Sequence, residues 1–174
     1  DLINDSSNTG LNFGTVTLGF KSGSSVTSSS SNISLKADAY GLGTTALNTT
    51  GTVGIYSLDS SASFGTAITV PNTFALGTGV TGLTIGKTTN SADITLNNAV
   101  NINGPITVDG GQININTSLQ SSGSDADITI RAKTNIMNTA LATLTTAGGD
   151  IVLASNVDDA TDNDSTINGY IRMN

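Results

Sequence analysis

The chain has 174 residues, a net charge of −7, and no Cys, His or Trp. Disulfides, thiol nucleophiles, imidazole bases and Cys/His metal sites are thereby excluded together, and six scattered Lys and Arg are too few for a nucleic-acid surface. All 13 acidic residues are Asp and aromatic residues make up only 4%, which disfavours helix and leaves a core of Ile, Val, Leu and Ala in thin layers joined by tight turns.

From the N-terminus, Leu11 to Phe20 alternates Phe13, Val16, Leu18 and Phe20 with Thr and Gly, a strand interrupted at Gly14. The polar run Lys21 to Asn32 is expected to be an exposed loop. Strand phrases follow at Asn32–Ala37 and Gly51–Tyr56, with a corner and a less regular wall over Ala39–Thr50. Ile68-Thr69-Val70 is a strand ended by Pro71, which cannot donate a ladder hydrogen bond. The many Gly of Asn72 to Gly86 permit only sharp turns between very short strands.

The most regular stretch runs from Ala92 to Ser155. Ile94-Thr95-Leu96, Ile106-Thr107-Val108, Ile113-Asn114-Ile115 and Ile128-Thr129-Ile130 each place a polar residue between two aliphatic ones, the alternation of a strand that buries one face. Ile151-Val152-Leu153 repeats the phrase with an apolar centre. The anchors Ile94, Ile113, Ile128 and Ile151 lie 19, 15 and 23 residues apart. This variable period predicts an all-β fold, a parallel β-solenoid with coils of about 20 residues, eight or nine of them in a rod of about 40 Å. The whole chain, 1–174, is expected to be one solenoid segment of a longer chain, less regular over 1–91 and most regular over 92–174. No apolar run is long enough to span a membrane, and Asp1 to Asp5 shows no signal-peptide pattern.

Gly82–Lys87 (GLTIGK), Pro105–Gly111 (PITVDGG), Ala126–Ala132 (ADITIRA) and Gly148–Ser155 (GGDIVLAS), closed by Gly169–Arg172 (GYIR), resemble the β-strand repeats of large bacterial surface proteins of the filamentous haemagglutinin type. The resemblance covers the C-terminal half, with Gly51–Tyr56 a looser relative. It implies a right-handed parallel β-helix secreted to the cell surface as the shaft of an adhesin or surface fibre. The partners it suggests are further copies of the chain, glycans or surface proteins.

Few residues suggest chemistry. The acidic run from Asp158 to Asp164 could offer oxygens to calcium, but without Glu it fits no EF-hand, and a solvated turn is the expected reading. Asp93, Asp127 and Asp150 each precede an Ile at the start of a strand phrase, a periodic placement that suits corner residues better than the paired carboxylates of a glycoside hydrolase. A β-helix enzyme would require Asp93, Asp127 and Arg131 on one face. The outward series Thr95, Thr107, Asn114, Thr129, Val152 is too broken for a water-ordering Thr array. Asn-x-Ser/Thr triplets at Asn4, Asn32, Asn48, Asn116 and Asn163 arise by chance in a chain with 19 Asn. A β-sandwich stalk would need more hairpin turns than Asn103-Gly104 and Asn168-Gly169 provide. Neither catalytic residues nor metal ligands nor a cofactor is expected.

Overall fold

The computed structural model describes residues 17–59, 63–71, 74–139, 142–156 and 171–172. Their 19 strands pair only in parallel, and each pairs with the strand three places along the chain wherever a partner is present. Every turn of the chain therefore visits three walls in a fixed order, and no helix occurs among the described residues. The parallel β-solenoid expected from the sequence is the observed architecture.

Wall one is continuous over six rungs: β3 (Ile33–Lys36), β6 (Val53–Tyr56), β9 (Leu83–Ile85), β12 (Ile106–Gly110), β15 (Ile128–Ala132) and β18 (Ile151–Ser155). Wall two holds the pair β1 (Thr17–Gly19) and β4 (Ala39–Gly41). Five further strands of that wall form one sheet: β7 (Ile68–Val70), β10 (Ile94–Leu96), β13 (Ile113–Ile115), β16 (Ile136–Asn138) and β19 (Ile171–Arg172). Wall three is split into β2 (Ser25–Ser28), β5 (Ala46–Thr49), β8 (Ala75–Leu76) and, separately, β11 (Val100–Ile102), β14 (Leu119–Ser124), β17 (Leu144–Ala147). The interruption follows β8, which is only two residues long and runs into the turn between Gly77 and Val80.

The inward residues form columns. On wall one Ile33, Val53, Leu83, Ile106, Ile128 and Ile151 are in register, as are Leu35, Ile55, Ile85, Val108, Ile130 and Leu153. On wall two Ile68, Ile94, Ile113 and Ile136 stack in the same way. Ile106, Ile113, Ile128 and Ile136 are wholly buried, and each such side chain stabilises the fold by about 1.5–3 kcal/mol. Gly104 shows how tightly corners nest: a Cβ there would collide with the Thr81 carbonyl of the coil before.

Three expectations change. Rungs on wall one are 20, 30, 23, 22 and 23 residues apart, so the described chain makes six rungs there, not eight or nine coils. The shorter estimate mixed two walls, because Ile94 and Ile113 belong to wall two while Ile128 and Ile151 belong to wall one. The Lys21–Asn32 loop contains β2, which pairs with β5 and turns Val26 toward the core. Its Ser and Thr alternate with half-buried positions, so polarity alone misled. Finally, sorted by wall, the outward Thr are less broken than in chain order: Thr84, Thr107 and Thr129 occupy three successive rungs of wall one.

Candidate functional surface

Asp93 and Asp127 act as corner residues. The Asp93 carboxylate accepts the Gln112 N–H at 2.7 Å and that of Asp127 accepts the Asp150 N–H at 2.8 Å, each from the next coil. Asn32 does the same for Thr52 at 2.8 Å. A polar side chain placed just before a strand thus reaches a backbone donor that the ladder leaves unpaired. Asp93 opens a wall-two strand, whereas Asp127 and Arg131 stand at opposite ends of the wall-one strand β15, about 13 Å apart along the backbone. The face an enzyme would require is not assembled from these three. The run from Asp158 to Asp164, Asn4, Asn163 and the stretch Phe13, Gly14 and Val16 lie outside the described residues.

Arg131 instead meets Asp109, one rung below. Its guanidinium donates from Nε to Oδ1 at 2.6 Å and from Nη2 to Oδ2 at 3.0 Å. Asp109 is buried while Arg131 is 36% exposed, so this fork closes over the carboxylate and leaves one guanidinium face to solvent. The Asp109 hydrogen bond holds the Arg131 pKa above its ordinary value, against the opposing effect of burial.

Beneath this pair lies Asn90, a buried residue that the sequence gave no reason to single out. Its Oδ1 accepts from Ser63 Oγ (2.8 Å), Phe64 N (3.2 Å) and Ala92 N (3.1 Å), while Nδ2 donates to the carbonyls of Asp109 (2.8 Å) and Ala92 (3.2 Å). One amide therefore ties three successive coils at the corner between walls one and two. Tyr40 closes the same corner lower down. Its hydroxyl donates to the Tyr56 carbonyl at 2.6 Å, and its ring meets Phe64 edge-on at 5.8 Å. Burial raises the Tyr40 pKa well above the ordinary 10.0, with the two backbone hydrogen bonds opposing and the Asp38 charge adding to the rise.

The outer face of wall two is an amide and hydroxyl lattice. Asn116 donates to Asn97 at 2.8 Å, Asn114 to Thr95 at 3.3 Å, and Gln112 to Asn114 at 3.0 Å. These ladders satisfy the side chains with one another and stiffen the stack. On wall one, the Tyr56 ring folds over Gly54 and carries the Lys87 ammonium 5.5 Å from its centroid. Among the described residues no group of three acidic residues could hold a metal ion, and no helix is long and apolar enough to cross a membrane.

No protein-family model matches the chain, and no curated protein or solved structure does either.

Proposed function

We propose that the chain is the structural shaft of an extracellular bacterial adhesin or surface fibre, extending from the cell and mediating attachment or self-association, with no catalytic role. The observation that carries this reading is the set of aliphatic columns running through successive rungs of the solenoid. Such a column can be lengthened by adding coils without changing any contact already made, so the architecture suits a spacer of arbitrary reach. The polar groups support the reading too: the carboxylates of Asp93, Asp109 and Asp127 are engaged in backbone and ion-pair contacts, where a general acid or nucleophile would need to face a substrate. The resemblance of Gly82–Lys87 and Ala126–Ala132 to adhesin strand repeats points the same way.

The test is immunogold labelling of intact cells of the source with an antibody raised against this chain. Label on unpermeabilised cells, at the tips or along the sides of thin rods, together with loss of surface attachment when the coding sequence is deleted, is the expected result. Label that appears only after permeabilisation would overturn it.

A further inference from the structure

Wall one carries opposite charges at its two edges on the rung of β15. Its leading edge, where the strands begin, carries the exposed Asp125, Asp127 and Asp150. Its trailing edge carries Lys36, Lys87, Arg131 and Lys133, four of the five cations whose side chains are described. Asp109 on that edge is buried beneath Arg131, while Asp38 and Asp59 lie past it in the turns toward wall two. Between the edges runs the low central column Thr84, Thr107, Thr129 and Val152, the last 44% exposed. The face is uncharged along its middle and, on the rung of β15, of opposite sign at its two sides.

We infer that wall one is a self-complementary interface through which two copies of the chain pack side by side, parallel and in register. This deepens the proposed function, resting on the reading of the chain as a shaft whose copies associate. The occupant follows from symmetry. Two copies facing each other across a two-fold axis parallel to the rod keep equal rungs at equal heights and reverse the strand direction. Asp127 of each copy then lies opposite Arg131 and Lys133 of the other, and the central Thr of each rung meets its own counterpart. A two-fold axis along the strands makes the rods antiparallel and, at full overlap, sets Asp127 and Asp150 against the uncharged leading corners of β6 and β3, so no such pair forms. The charge pattern therefore selects one arrangement of the pair.

The area sets its strength. Six strands about 4.8 Å apart and three to five residues long present about 400 Å² per copy, which totals about 800 Å², the size of a weak, transient contact. The pair is accordingly reversible and dependent on concentration. Repulsion between two chains of −7 is screened beyond about 8 Å at physiological ionic strength, so the local Asp–Arg and Asp–Lys contacts act under those conditions.

Because the chain has no Cys, a single introduced thiol gives a unique label site. Spin labels on T84C, T107C and T129C, examined separately by pulsed electron paramagnetic resonance, are expected to give one and the same short distance between copies at all three rungs. An antiparallel pair would give distances that grow by about 10 Å per rung away from the axis, and would overturn the inference. In sedimentation at physiological ionic strength the unlabelled chain is expected to reach twice its monomer mass as concentration rises and to return to monomer in molar salt. The double variant D127N/D150N keeps an oxygen for the Asp150 N–H but removes both charges, and should weaken association at least tenfold with an unchanged circular dichroism spectrum. A folded chain that stays monomeric at every concentration, or a double variant that associates as well as the parent, would reject this interface. Neither result touches the shaft reading, which stands or falls on surface labelling.

Discussion

Single polar residues tie the coils of this solenoid together as firmly as its aliphatic columns do. Asn90 satisfies the Phe64 and Ala92 N–H groups and the Asp109 carbonyl from a buried position. Asn90→Ala strips the partner from the buried Phe64 N–H and one partner each from the Asp109 carbonyl and the Ala92 N–H, the latter still held by Ser63 Oγ, and unpaired buried groups are far costlier than an absent surface hydrogen bond. Chemical denaturation is expected to show a loss of about 3 kcal/mol, against almost none for N98A, whose side chain bonds only the neighbouring Ala99 carbonyl. Tyr40 gives the chain an alkaline limit. Its raised pKa means that the folded state keeps the proton which the unfolded chain gives up. The stabilising contribution is therefore complete below about pH 10 and falls as pH rises further. Y40F should unfold at a higher pH than the parent in an alkaline titration followed by circular dichroism, even though it lacks the hydrogen bond to Tyr56.

At the scale of the strand, alternation divides the cost of substitution sharply. Ile128 is wholly buried between Ile106 and Ile151, whereas Thr129, its neighbour, faces outward. Ile128→Ala opens a cavity that parallel strands on both sides prevent from collapsing, and is expected to cost about 3–4 kcal/mol in denaturant unfolding. T129A should stay within about 0.5 kcal/mol, because it removes only some β propensity on the wet face. This contrast was readable from Ile-Thr-Ile alone. Wall membership was not. Phrases separated by as few as two residues, such as Ile106–Gly110 and Ile113–Ile115, look like successive repeats but lie on adjacent walls of one coil. Likewise β2 has too little apolar character to be seen as a strand, and it is held by pairing with β5.

At the scale of the whole molecule, each rung is stabilised by its two neighbours and by nothing further away, so stability should grade along the rod. Among the described residues β18 is the last strand of wall one, and its Ile151 and Val152 are each 44% exposed, while Ile106, Ile113 and Ile128 in the middle rungs are fully covered. Hydrogen exchange is expected to be slowest in β12, β13 and β15 and markedly faster in β18. Equal protection from β3 to β18 would instead indicate a single all-or-none unit. The same geometry sets Asp127 and the Arg131–Lys133 pair at opposite edges of wall one on the rung of β15.

The sequence by itself determined that this chain is all-β, wound in parallel coils about an aliphatic interior, with Asp and Asn at the corners. Those features depend on side-chain alternation, on turn chemistry and on the absence of Cys and His, all of them local. Only the tertiary structure decided how many residues make a coil, which Thr share a column, that Asp109 and Asn90 lie in the same buried corner, and that Arg131 and Lys133 stand across wall one from Asp127. These are matters of register between residues 19 to 35 positions apart. Register is set by the length of every intervening corner, and corners of Gly, Ser and Asn vary in length without altering the strand phrases on either side.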